Sequence, residues 1–257
     1  MLFFVGLILV LVVIFVAVPD IFMHPATYFQ FNSIIMVFGG VVALFVLSSS
    51  ASDLRRTFLS LGVILRTDKI PSEREIIDKL VEFTVVSQKS GRAALEGAAE
   101  GFDDGFLNNG LSMIVNKLKP EFVRIVLENE LQEMSARHES TINNFRIMGN
   151  LGPTLGMFGT IIGVIQVLRN MRDPKTVGPA MSLALITSMY GVFVASFLLT
   201  PITNKLQSKS DQEILKKTIM IEGLYMIAKG EIPIKVETYL KAFISAKEKV
   251  PQKEENA

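Results

Sequence analysis

The chain has 257 residues, is 49% hydrophobic, carries a formal net charge of +1 and contains no cysteine; its mean hydropathy is +0.41. That is too apolar for a soluble domain and too polar for a chain lying wholly in lipid. The near-neutral balance argues against nucleic acid as a partner, the lack of Cys excludes disulfide scaffolds, thiol catalysis and Cys-based metal sites, and His24 and His138 alone are too few for most His-built metal centres.

Leu2 to Val18 is an unbroken apolar run followed directly by Pro19-Asp20. It has no basic leading segment and no small-x-small cleavage site, so it reads as an uncleaved transmembrane helix and not as a signal peptide. At ~1.5 Å per residue it reaches ~25 Å, short enough to stand nearly upright or to borrow Pro19 and Ile21. Pro19 to Gln30, with His24 and Pro25, reads as a short external loop. A second apolar run follows from about Phe31 to Ser50, and no Asp, Glu, Lys or Arg lies between Asp20 and Asp53. Two later charge-free runs, Ile147 to Leu168 and Val177 to Asn204, bring the expected spans to four.

The expected fold is an all-α membrane protein: four transmembrane helices with a helical cytoplasmic domain inserted between spans two and three. The segments are residues 1–50 (spans one and two), 51–146 (the insert), 147–204 (spans three and four) and 205–257 (a helical tail). Arg55, Arg56, Arg66 and Lys69 follow span two, Arg146 precedes span three, and Lys205, Lys209, Lys216 and Lys217 follow span four. The first loop has no Lys or Arg, so both termini and the insert are expected in the cytoplasm. Arg169, Arg172 and Lys175 oppose this rule, because the same topology puts them outside.

Within the insert, Ile76, Ile77, Leu80, Val81 and Thr84 recur at helical spacing. Pro71-Ser72-x-x-Glu75 predicts a helix start, with Ser72 as cap and Glu75 closing a capping box. A second helix is predicted from about Pro120 through Leu131 and Met134 straight toward span three. The tail reads as a helix broken at Gly230 and Pro233, and residues 251–257 read as disordered.

Spans three and four are unlike ordinary lipid anchors. Gly152, Gly156, Gly159 and Gly163 keep to one helix face, where backbones can approach closely. Thr160 faces candidates Thr187 and Ser188 at similar depth if the two spans are antiparallel neighbours. Three oxygens there suit a hard cation such as Na⁺; the plain alternative is that each hydroxyl bonds back to a carbonyl of its own helix. No Asp, Glu, Lys, Arg or His lies within any span. An ion-driven machine commonly needs an ionisable group in the membrane, so the residues leave two readings: a passive membrane scaffold, or one half of a hetero-complex.

The run Gly152-Pro153-Thr154-Leu155-Gly156-Met157-Phe158-Gly159-Thr160-Ile161-Ile162-Gly163 resembles the third span of the MotA/PomA family, the A subunits of the bacterial flagellar stator. Asp173-Pro174-Lys175-Thr176-Val177-Gly178-Pro179-Ala180-Met181, continuing through Ala184 to Gly191, resembles its fourth, and Pro201 to Leu206 resembles its exit. The likeness covers nearly the whole chain, and the four-span order separates it from the three-span ExbB/TolQ relatives.

The resemblance implies a stator subunit of the flagellar motor in the bacterial inner membrane, coupling inward ion flow to torque. It implies self-association into a homopentamer around a dimer of a B-type subunit (MotB/PomB-like), whose membrane Asp supplies the missing carboxylate. It implies no cofactor and no permanent metal, only a transported ion. Sodium-type members carry Thr at the positions of Thr160, Thr187 and Ser188, whereas proton-type members tend to have Ala, Val or Gly at one or more of them; Ser188 departs from that Thr but keeps the oxygen, so Na⁺ is favoured over H⁺. Lys89, Arg92 and Glu96 match the segment that pairs charges with the rotor switch protein (FliG-like), with Gln88 departing from a basic position. Pro153 and Pro201 match prolines that couple ion passage to shape change, whereas Pro179 is expected merely to start a helix. Two other readings remain: an ion-driven energiser of another envelope process, ExbB/TolQ-like, and the passive scaffold. An enzyme is not expected, since no catalytic constellation is evident.

Overall fold

All regular elements among the described residues (2–65, 71–102 and 105–244) are helical in the computed structural model. Helix α1 is Leu2–Ala17, apolar throughout but only 16 residues long. The stretch expected as a plain loop instead forms two short helical turns, α2 (Asp20–Met23) and α3 (Pro25–Tyr28). Pro25 sits in the first turn of α3, where its fixed φ favours a helix and its missing N–H is not needed. Helix α4 is Phe31–Ser48 and α5 is Ala51–Leu65. Helix α6 is Glu73–Ser90, followed by a single 3₁₀ turn Arg92–Leu95, and α7 is Phe106–Val115.

Helix α8, Pro120–Arg169, is one continuous 50-residue element, as the apolar spacing from Pro120 predicts. Helix α9 occupies residues 174–229 as Pro174–Phe193, a π-helical stretch Val194–Leu199, and Thr200–Lys229. It ends where predicted, at Gly230 with φ 78°, and α10 is Pro233–Leu240. Residues 251–257, Arg66 and Lys69, on which expectations rested above, lie outside the described residues.

Three helices are long and apolar enough to cross a membrane, counted among the described residues: Phe31–Ser48, a window within Pro120–Arg169, and a window within Lys175–Lys229. The apolar α1 is shorter than the ~20 residues a span ordinarily uses.

The described residues divide into two compact units. One draws on Met1–Arg66 and Glu139–Gln207, the other on Thr67–His138 and Ser208–Ala257. The first is organised by Val37, Val41 and Phe45 of α4 against Phe145 of α8 and Val194 and Leu199 of α9. A polar link ties α5 to α8, with Asn144 Nδ2 donating to buried Thr57 Oγ1 at 2.9 Å. The second has the larger core, in which Leu80, Phe83, Leu107, Leu127 and Leu224 are almost wholly excluded from solvent. The tail therefore packs with the insert.

The predicted start of α6 is present in full. The Ser72 hydroxyl accepts the Glu75 N–H at 3.3 Å, and Glu75 Oε2 accepts the Ser72 N–H at 2.8 Å. Those two bonds satisfy donors that the first helical turn leaves open. At Gly223 a Cβ would fall 2.5 Å from Leu80 Cδ1, so a side chain there would force the buried Leu80 to shift.

Candidate functional site

Spans with no charge associate through close packing and hydrogen bonds, since lipid supplies no hydrophobic drive between them. The four glycines of α8 make that approach. A Cβ added at Gly152 would lie 2.7 Å from the Gly191 carbonyl oxygen, and one at Gly191 would lie 2.5 Å from that of Gly152. A Cβ at Gly156 would lie 3.1 Å from Ser188 Cα, and one at Gly163 would lie 2.6 Å from Ala184 Cβ. At Gly159 it would overlap the Thr187 side chain. The stripe thus runs along the first part of α9 from Ala180 to Ala195, and it sets which side chains meet.

In that seam Thr160 Oγ1 and Ser188 Oγ stand 2.6 Å apart, within hydrogen-bond distance. Both also reach the Gly156 carbonyl, at 3.1 Å from Thr160 and 3.4 Å from Ser188, and Thr160 lies 3.3 Å from the Ala184 carbonyl. One hydroxyl donates to the other, and the second proton goes to a carbonyl. Thr187 is wholly buried beside Gly159. Its hydroxyl donates back to Leu183 O at 2.7 Å and Ala184 O at 3.0 Å. Of the three sequence-predicted oxygens, two therefore share a contact between helices, and the third bonds to its own helix one residue away.

The cluster consists of neutral oxygens. Such groups ligate a hard cation through their lone pairs. They do not ionise near neutral pH, so they cannot by themselves take up and release a proton. Among the described residues no group of three or more His, Cys, Asp or Glu side chains comes together. Beside the cluster, Met157, Ile161, Leu185 and Met189 leave an apolar face exposed.

Pro153 lies inside α8 and Pro201 in the second position after the π-helical stretch of α9. Pro179 does not start its helix. That place belongs to Pro174, with Asp173 as cap accepting the Lys175 N–H at 3.1 Å, and Pro179 falls in the interior. The Asp173-Pro174 pair is the stronger start signal, because the Asp side chain satisfies an open N–H and Pro fits the first helical position.

In the other unit, Lys89 closes α6 and is exposed, as is Glu96 just after the 3₁₀ turn. Neither has an ion-pair partner among the described residues. Arg92 differs. Its Nη2 donates to the Ala228 carbonyl at 2.7 Å, and Gln88 Nε2 donates to the Glu231 carbonyl at 3.2 Å. These two side chains hold the end of α9, where carbonyls lack helical partners.

Sequence reasoning did not find two polar links near the other end of the spans. Gln30 Nε2 donates to Ser182 Oγ at 2.6 Å, and Tyr190 Oη donates to the Tyr28 carbonyl at 2.5 Å. The signal was present as lone polar residues in apolar runs, but pairing across about 150 residues has no local signature.

A sequence profile of the MotA/TolQ/ExbB proton channel family matches residues 98–219. Motility protein A of Bacillus subtilis is 31% identical over 85% of this chain and 81% of its own length. Chemotaxis protein PomA of Vibrio alginolyticus is 32% identical over 69% of each chain. A chain in the structure of the flagellar MotAB stator complex from Bacillus subtilis superimposes with a TM-score of 0.86 at 30% identity, over 95% of this chain and 96% of that one. With the profile match running through the glycine seam and the polar cluster, and relatives at this identity and coverage, the chain belongs to the motility protein A (MotA/PomA) family.

Proposed function

We propose that this chain is the A subunit of a flagellar stator and that it couples inward Na⁺ flow to torque. The observation that carries the reading is the Thr160–Ser188 contact: two hydroxyls and two carbonyls converge between spans that hold no carboxylate. A B-type subunit brings an Asp beside this cluster, against the exposed apolar face. The Asp neutralises the cation, and the hydroxyls and carbonyls replace part of its water shell. The names of the relatives favour motility over another envelope process.

The wider arrangement follows from the same reading. Helix α1 acts as the first of four spans, the termini and the 51–146 insert lie in the cytoplasm, and copies of the chain ring the B dimer as a homopentamer. Lys89 and Glu96, exposed and unpaired among the described residues, present charges to the rotor switch protein. Arg92 positions that segment by holding the Ala228 carbonyl. Exposed pairs contribute little binding energy but steer and set register.

One observation favours proton coupling as a second reading. The Thr187 hydroxyl is committed to its own helix at 2.7 and 3.0 Å, leaving fewer free oxygens for a cation. Swimming speed measured against Na⁺ concentration at fixed pH separates the two, in cells whose only stator contains this chain and its cognate B subunit. Speed that collapses without Na⁺ is the expected result. Undiminished speed without Na⁺ would overturn sodium coupling and return the hydroxyls to helix packing.

A further inference from the structure

We propose that an open cavity of mixed polar and apolar lining where α4, α8 and α9 meet, in the unit that holds the spans, binds the phosphate headgroup of an anionic phospholipid, with phosphatidylglycerol the best-fitting member. The cavity measures about 890 Å³ and lies between the start of α4, the end of α8 and the start of α9. That volume is within the range of roughly 300–1,000 Å³ usual for ligand sites.

Its lining has one sign of charge. Arg169 and Lys175 contribute cations, Asn32, Gln166 and Asn170 contribute carboxamides, and no Asp or Glu borders it. Neither Arg169 nor Lys175 forms an ion pair among the described residues. The one acid in this loop, Asp173, is turned to the Lys175 N–H at the start of α9. Gln30, held by Ser182 at 2.6 Å, fixes the α4 side of the cavity.

A guanidinium and an ammonium match the oxygens of a phosphodiester, the guanidinium in bidentate fashion. The carboxamides donate to the same oxygens and accept from the hydroxyls of a glycerol headgroup. A lipid source is favoured over free phosphate by what surrounds the cavity. Phe31, Leu168 and Met171 are 74%, 63% and 65% exposed on the same helix ends, and so offer apolar surface for acyl chains beside the charged lining. The site also accounts for a sequence feature that the motor reading leaves over. Arg169 and Lys175 run against the distribution of basic residues because they answer a lipid headgroup at the opposite surface.

The test uses the intact complex of this chain with its B subunit in detergent. Native mass spectrometry measures retention of dioctanoyl phosphatidylglycerol, dioctanoyl phosphatidylcholine and inorganic phosphate. Phosphatidylglycerol is expected to bind saturably, and the double variant Arg169→Gln, Lys175→Gln to weaken it by about tenfold or more. Arg172→Gln, in the same loop but outside the cavity lining, is expected to change it by less than about twofold. If the double variant fails to assemble, Lys175→Gln alone, at an exposed position, must weaken binding in the same direction. Equal retention of phosphatidylcholine would overturn the headgroup assignment. Equal binding of inorganic phosphate would replace it with a free-anion site, and an equal effect of Arg172→Gln would reduce it to unspecific loop charge.

Discussion

Replacing Gly191 with Ala tests whether the glycine seam sets the geometry of the polar cluster. The new Cβ would lie 2.5 Å from the Gly152 carbonyl oxygen, against the 3.4 Å at which ordinary contact begins. The obstacle is backbone and cannot swing aside, so α8 and α9 must separate locally by about 0.9 Å. The same displacement at the Thr160–Ser188 pair would open its 2.6 Å contact to about 3.5 Å, at the limit of a hydrogen bond. Overpacking of this kind costs about 1–3 kcal/mol. At about 2–4 °C per kcal/mol for a chain of this size, thermal unfolding of the purified complex at one fixed scan rate should fall by roughly 2–12 °C. Gly178→Ala is the control, since a Cβ there meets nothing within 4 Å; Ala is the better helix former by about 1 kcal/mol, so that variant should hold or gain stability. Swimming should slow in Gly191→Ala and not in Gly178→Ala. A Gly191→Ala complex that melts within a degree of the parent, or a Gly178→Ala complex that loses as much, would refute the reasoning.

In a strain swimming on this stator alone, Thr160→Ala and Ser188→Ala should each raise the Na⁺ concentration needed for half-maximal speed, while conservative Ser188→Thr keeps it near the parent. Thr187→Val keeps the buried shape but loses a bond to the Leu183 and Ala184 carbonyls, so it should lower stability by about 1 kcal/mol, read as a melting shift. The exposed charges Lys89 and Glu96 should behave in the opposite way to Arg92. Reversing either is expected to change the melting temperature negligibly, within about 0.5 kcal/mol, yet reduce torque in a tethered-cell assay; Arg92→Ala should lower both, because it releases the Ala228 carbonyl. At the start of α6, Glu75 is held below the usual carboxylate range, first by the Ser72 N–H and then by the Ser72 hydroxyl. A depressed folded-state pKa means that its stabilisation is present above the unfolded value and is lost as pH falls through the folded one. Ser72→Ala removes the hydroxyl but keeps the stronger N–H contact, so it should weaken the helix cap at neutral pH and flatten the acid limb of a stability–pH curve only in part.

How much of this was legible in the sequence follows from the range of each interaction. Charge-free runs, the cap at Ser72 and the break at Gly230 are local signals, and each appears in the structure. That Thr160 and Ser188 meet follows from the depth at which each sits in antiparallel neighbours. That Thr187 turns away does not follow, because it depends on helix rotation: the seam puts Gly159 against Thr187 and leaves its hydroxyl no outlet except its own carbonyls. The packing of the tail on the insert was hidden for the same reason. Leu80 and Leu224 each read as apolar positions, but nothing near either names the other. The short turns α2 and α3 escaped because a four-residue helix has no periodicity to detect.

The two prolines that the resemblance groups together sit in different mechanical surroundings. A proline inside a helix cannot donate to the carbonyl four residues back, and its ring presses on that carbonyl. For Pro201 that carbonyl belongs to Phe197, and α9 widens over Val194–Leu199 immediately before it. The Thr200 N–H donates to the Ala195 carbonyl in the widened register and its hydroxyl donates to the same oxygen at 2.8 Å, so that carbonyl stays paired. Around Pro153 the helix keeps its regular pitch, next to the tightest backbone contact of the seam, Gly152 against Gly191. A turn that can exchange one register of hydrogen bonds for another bends more readily than one wedged between backbones. Pro201→Ala should therefore restore the normal helical bond and stabilise the span by up to about 3 kcal/mol. If Pro201 is the hinge that the resemblance implies, the same change should cut motor speed. Pro153→Ala should act mainly on stability, through its packing beside Gly152. Single-motor rotation recorded with a bead on the filament separates the two, and a Pro201→Ala motor turning at parental speed under load would place the hinge elsewhere.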